Sequence, residues 1–152
     1  MEAYRLTREK YAHSLSGKGA AIKGARWNSA GVEVIYTASN RSLAMAEVAV
    51  HFTLATLPSD YLMMTLFIPD SIKLKKMTIA DLPPNWNDFP HPASTRSIGD
   101  RFIADNDHAV LQIPSAVTYG DYNLLINPHH PEFSGIRIVD LVKFPFDSRI
   151  FR

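Results

Sequence analysis

The sequence predicts an α+β domain. Strand-like apolar segments outnumber helical ones, and they do not alternate with helices as a doubly wound parallel sheet requires. At 152 residues, 46% hydrophobic and 20% charged, the chain has the size of one globular unit that buries roughly two-thirds of its unfolded surface. There is no internal repeat or low-complexity tract, and the ten prolines cluster mainly in loops. The expected architecture is a compact single domain over 1–152, with mixed or antiparallel sheet and flanking helices.

Taken in order, VEVIYTA (32–38) is rich in β-branched and aromatic residues and reads as a largely buried strand. SNRSLAMAEVAVHF (39–52) offers Ser39, Asn40 or Ser42 as an N-cap before an alanine-rich helix of about three turns. YLMMTLFIP (61–69) reads as a second buried strand, and SIKLKKMTI (71–79), alternating apolar and basic residues, as a strand with one wet face. LPPNWNDFPHP (82–92) is a loop, because its four prolines remove donors and hold the preceding residues extended. STRSIGDRFIAD (94–105) has helical spacing after a Ser94 cap. AVLQIPSAV (109–117) and GIRIVDLVKFPFD (135–147) read as two further strands, joined by a turn-rich YGDYNLLINP (119–128).

Charge and composition remove several function classes. Lys and Arg total 16 against 15 Asp and Glu, a net charge of +1, so there is no basic field of the kind that drives direct nucleic-acid binding. Without cysteine there are no disulfides, thiolate nucleophiles or cysteine-based zinc sites, which agrees with a reducing compartment. No apolar run is long enough to span a membrane, and MEAYRLTREKY lacks a signal-peptide core. A soluble, cytoplasmic protein without membrane association is expected.

Two stretches carry chemistry. In KGARWNSAG (23–31), an arginine, a tryptophan and an asparagine stand together between glycines just before a strand; neither a core nor a solvated turn calls for that combination. In the helix LAMAEVAVHF (43–52), only Glu47 and His51 ionise, and they are four residues apart. A helix apolar nearly all round is usually buried and an i, i+4 pair shares one face, so the pair is expected in the interior or in a cleft; the alternative is a Glu47–His51 salt bridge on an exposed strip. Histidines 13, 91, 108, 129 and 130 show no complementary ligand pattern, and no metal is expected. His129 and His130, flanked by prolines, read as an exposed loop pair. Ser115 follows a proline at a strand end, and no Gly-x-Ser-x-Gly elbow marks it as a nucleophile.

The ordered set YRL (4–6), SGKGA (16–20), GARWNSAG (24–31), Tyr36, Ala-x-x-Glu ending at Glu47 with His51 four residues on, IPSAV, NLLINP and the closing FPFDSRIF resembles the RES domain family. Ala25 stands where a second glycine is common. The resemblance implies a fold related to the ADP-ribosyltransferases and a bacterial toxin that cleaves NAD+ at the nicotinamide–ribose bond by hydrolysis or phosphorolysis, arresting growth. NAD+ is then the substrate and no further cofactor is needed. The implied partners are an Xre-type helix-turn-helix antitoxin and a second copy in a homodimer. A mono-ADP-ribosyltransferase using the same residues and a silent nucleotide- or partner-binding module are the alternatives.

On this resemblance Glu47 stabilises the developing oxocarbenium or holds the ribose hydroxyls. Arg26 grips the pyrophosphate with a bidentate guanidinium, and Tyr36 stacks on or bonds to the nicotinamide ribose. Ser115 orients the ligand or Glu47. Asn28 holds the turn and Trp27 anchors it, more by core packing than by stacking on nicotinamide. Arg5, His51 and Asn123 complete the expected substrate-binding set.

Overall fold

The computed structural model describes residues 1–151, among which seven strands form one mixed sheet with three α-helices. In chain order the elements are β1 (Glu2–Arg8), α1 (Lys18–Lys23), β2 (Ile35–Ala38), α2 (Arg41–Ala49), β3 (Tyr61–Phe67), β4 (Leu74–Lys76), α3 (Ala93–Asp105), β5 (Val110–Pro114), β6 (Tyr122–Ile126) and β7 (Arg137–Lys143). The sheet runs β4-β5-β6-β2-β1-β3-β7, with β4 and β5 parallel and every other neighbour antiparallel. The α+β expectation holds. No helix among the described residues is long and apolar enough to cross a membrane.

Several local expectations change. The segment expected to be a turn-rich connection supplies β6, a central strand paired on both sides, with Asn123 to Ile126 buried; a run of three apolar residues between turn signals carries no period that separates strand from loop. EAYRLTR, too charged to signal a strand, becomes β1, fixed by a seven-residue ladder to β3. The 32–38 strand begins only at Ile35, and of 71–79 only Leu74–Lys76 pairs, at the sheet edge. Ser94 is not a cap: Pro92 holds the N-cap position of α3, and the Thr95 hydroxyl donates to the Pro92 carbonyl at 2.9 Å. In α2, Asn40 is the cap, accepting from Leu43 N at 2.8 Å, and the helix ends at Ala49, leaving His51 and Phe52 beyond it.

Helices cover the sheet through apolar side chains. Leu43 and Ala44 of α2 pack with Leu6, Tyr61 and Met63, while Phe102 of α3 packs with Trp27, Trp86, Leu111, Ile113 and Leu125. Each such side chain, fully buried, contributes about 1.5 to 3 kcal/mol before entropy is counted. The seam that matters for function is between β2 and β1. They pair only at Tyr4 and Ala38; continued in register, Arg5 would face Thr37 and Leu6 would face Tyr36, but those two pairs do not form across the seam. The sheet therefore opens at its middle.

Candidate active site

That opening is the mouth of a cleft of about 620 Å³. Arg5 and Leu6 line one side, Tyr36 and Thr37 the other, and Glu47 and Val48 from the end of α2 close it together with His51 just beyond the helix, with Arg26, Phe89, His91 and Asn123 around the remainder. The volume lies in the range of small-molecule sites.

The RWN turn is built from inside. Gly24 takes φ +72°, and a Cβ there would lie 2.6 Å from the Asn28 carbonyl, so the turn closes only on glycine. Asn28 is fully buried; its Nδ2 donates to the carbonyls of Ala20 (3.0 Å), Val32 (2.9 Å) and Ser29 (3.3 Å), and its Oδ1 accepts from the Tyr36 hydroxyl at 2.5 Å. Asn28 thus holds the turn from behind and does not reach the cleft, contrary to its place in the expected substrate-binding set. Trp27 is 2% exposed, stacked on Trp86 with ring centroids 6.3 Å apart, which leaves its ring in the core. The Tyr36 hydroxyl also accepts from Trp27 N at 3.1 Å, and burial pushes its pKa well up. It serves as a neutral pin, while the ring forms part of the cleft wall.

Glu47 sits in the last turn of α2, half-buried and lining the cleft. The buried Ser115 hydroxyl donates to Glu47 Oε1 at 3.1 Å and accepts from the backbone N–H groups of Val117 and Thr118, each at 3.0 Å. Two donors into the serine oxygen direct its one proton at the carboxylate, so Ser115 orients Glu47. His51 lines the same cleft but is exposed and makes no ion pair with Glu47 among the described residues. The i, i+4 geometry lapses because the helix stops between them.

The two cleft arginines differ. Arg26 Nη1 donates to the carbonyls of Trp86 (2.7 Å) and Asp88 (2.8 Å), tying the proline-rich loop to the RWN turn. Burial lowers its pKa from the usual value, while nearby Glu47 and Asp88 push back. Arg5 has no hydrogen bond or ion pair among the described residues, and burial alone lowers its pKa. A half-buried cation with no carboxylate to compensate it is electrostatically costly, and an anion brought beside it would offset that cost. Asn123 donates weakly to the Thr37 carbonyl at 3.3 Å and shows its other face to the cleft.

Two supports were not foreseen. Gly99 of α3 lies so close to the turn that a Cβ would fall 1.5 Å from the Trp27 carbonyl oxygen. Next to it, Asp100 accepts from Ser29 N at 2.8 Å and from the Ser29 hydroxyl at 2.5 Å. The clue was the only glycine within the 94–105 helical pattern, which marks a close backbone approach. Away from the cleft, His129 is exposed at 3.6 Å from Glu33, and His130 accepts from Glu132 N.

An α+β domain whose sheet parts around one carboxylate and two guanidinium groups defines a charged ligand cleft. The RES domain model matches residues 2–147, and the chain belongs to the RES domain family. It is 36% identical over 143 residues, 93% of this chain and 89% of the relative, to the "Prs ADP-ribosylating toxin" of Sphingobium sp. strain YBL2. It is 35% identical over 152 residues, 99% of both chains, to "Toxin Res" of Yersinia enterocolitica. At that level it is a toxin of the RES family. The fold is similar to a chain in the crystal structure of the M. tuberculosis MbcT–MbcA toxin–antitoxin complex, with a TM-score of 0.74, 19% identity, and coverage of 94% of this chain and 83% of that one.

Proposed function

We propose that this toxin binds NAD+ in the cleft and breaks the bond between nicotinamide and ribose. The observation that carries this reading is the Ser115–Glu47 hydrogen bond, which fixes a carboxylate inside a cleft that also holds an uncompensated Arg5. The electron pair of the breaking bond leaves with nicotinamide, which departs neutral from a cationic ring and needs no general acid. Positive charge develops on the sugar, as in glycoside cleavage, and a preorganised carboxylate contributes a few kcal/mol there. Arg5 is the freer guanidinium for the pyrophosphate. Arg26 keeps its remaining N–H groups for the ligand while Nη1 holds the loop.

Water, phosphate or a protein side chain can then capture the sugar. Hydrolysis or phosphorolysis depletes NAD+ and arrests growth; transfer to a protein is favoured by one specific observation, the name of the Sphingobium relative. Purified protein is incubated with NAD+ with and without phosphate and cell extract, and free nicotinamide is measured. Release in buffer alone supports hydrolysis, release that requires phosphate or extract identifies the acceptor, and no release under any condition rejects the reading. An antitoxin partner, of Xre helix-turn-helix type, belongs to the same proposal; support comes from the toxin names of the relatives and from the toxin–antitoxin complex whose fold this chain shares.

A further inference from the structure

The loop 82–92 does more than close the RWN turn. The loop turns at 85–88, closed by Asp88 N donating to the Asn85 carbonyl at 3.1 Å, and bends again at Phe89 and Pro90. Asn87, Phe89 and His91 all line the cleft, whereas Asp88 and Pro90 between them do not. The frame is fixed by Arg26, which takes the carbonyls of Trp86 and Asp88. Each of the three side chains lacks what it would normally have in a finished structure. Phe89 is 79% exposed, a large apolar cost for a side chain with no partner beyond the edge of His91, 5.4 Å away. His91 Nδ1 is buried without a hydrogen bond, a condition that costs about 1 to 3 kcal/mol and is rare in native proteins. The exposed Asn87 amide has no protein partner among the described residues.

We propose that Asn87, Phe89 and His91 form a recognition wall for a flat heteroaromatic cation carrying a carboxamide, namely the nicotinamide ring of NAD+. The assignment rests on the NAD+ reading and deepens it. Phe89 offers a π face to the positively charged ring. Asn87 offers an amide donor and acceptor that match a carboxamide, and the imidazole supplies one donor and one acceptor at its edge. The position fits the reacting end of the substrate: the charges felt by His91 are those of Arg26, Arg96 and His51, and Arg26 in turn feels Glu47. Burial first, and then the nearby Arg26 and Arg96 guanidinium groups, lower the His91 pKa, keeping the ring neutral beside a cationic ligand. The adenine half of NAD+ carries no positive charge and gains less from such a wall.

The test compares NAD+ with ADP-ribose, which lacks nicotinamide, by calorimetry on protein carrying Glu47→Gln so that the substrate persists. Phe89→Ala alters a side chain already in solvent and leaves the fold intact; it is expected to weaken NAD+ about tenfold while ADP-ribose binds within about twofold of the parent. Asn87→Ala is expected to weaken NAD+ in the same selective way by a few fold. If both variants weaken NAD+ and ADP-ribose equally, the wall holds the adenine half or only shapes the loop, and the proposal is overturned. If NAD+ affinity is unchanged in both, it is overturned as well. A parent that binds neither ligand removes the NAD+ reading itself, and the wall with it, an outcome distinct from a parent that binds both.

Discussion

On the proposed function, Glu47 serves catalysis and Arg5 serves binding, and single substitutions separate the two. Glu47→Gln keeps the shape and can still accept from Ser115, so the fold and most NAD+ affinity persist; turnover falls on the order of a hundredfold or more, the scale of one electrostatic stabiliser. Nicotinamide release near the parent rate would take Glu47 out of the mechanism. Arg5→Met should weaken NAD+ by about 2 kcal/mol through loss of a charge-assisted contact, yet raise the melting temperature of the free protein, because it removes a cation that burial disfavours and no carboxylate offsets. A variant that loses both affinity and stability would show that Arg5 supports the fold instead. His91 makes the pH argument. Its folded pKa lies below the ordinary 6.5, so the unfolded chain binds more protons as pH falls past that value. Its contribution is complete above about pH 6.5 and is lost in acid. His91→Asn should flatten the acid limb of the stability curve; an unchanged limb assigns the loss to other groups.

At the level of elements, the support behind the RWN turn is the most sensitive contact in the fold. Gly99 lets α3 approach the Trp27 backbone, and its Cβ would fall 1.5 Å from a carbonyl oxygen. Backbone offers no rotamer to yield, so Gly99→Ala must push α3 away and break the Asp100–Ser29 pair beside it; a loss of about 3 kcal/mol or more is expected in urea unfolding. A change under about 1 kcal/mol would mean that the helix slides freely. This contact also marks where sequence stops informing. The RWN motif and Glu47 were legible because their residue types are wasteful anywhere else. That Asn28 holds the turn was legible, but its burial away from the cleft was not, because its hydrogen bonds to Ala20 and Val32 depend on how α1 and the turn fold back, which no local pattern encodes. The strands β1 and β6 were missed for different reasons: Glu2, Arg5 and Arg8 break the apolar pattern of β1, and β6 has only three consecutive apolar residues between turn signals. His51 parted from Glu47 because the helix ends two residues before it, and helix ends are the least predictable part of a periodic pattern.

For the whole molecule, the decisive feature is that the sheet parts where β1 and β2 stop pairing, leaving an uncompensated guanidinium, an exposed Phe89 and an unbonded imidazole in one open cleft. On the proposed function such a cleft is active whenever NAD+ is present, and restraint is then expected from a protein that fills or distorts it. The groups that would hold a pyrophosphate also suit a carboxylate: a partner segment with an acidic side chain or a terminal carboxyl group can bond to Arg5 and Arg26 by the same charge-assisted geometry. Phe89 and Val50, 79% and 60% exposed, would then be covered at the mouth. Co-expression with the antitoxin should rescue growth, the two proteins should co-purify, and the complex should neither bind nor cleave NAD+. Arg5→Met should weaken the complex and NAD+ binding together, because both ligands use one guanidinium. The deciding measurement is NAD+ binding by the purified complex. Affinity equal to that of the free toxin would show that the partner acts from a remote surface, with the cleft left open.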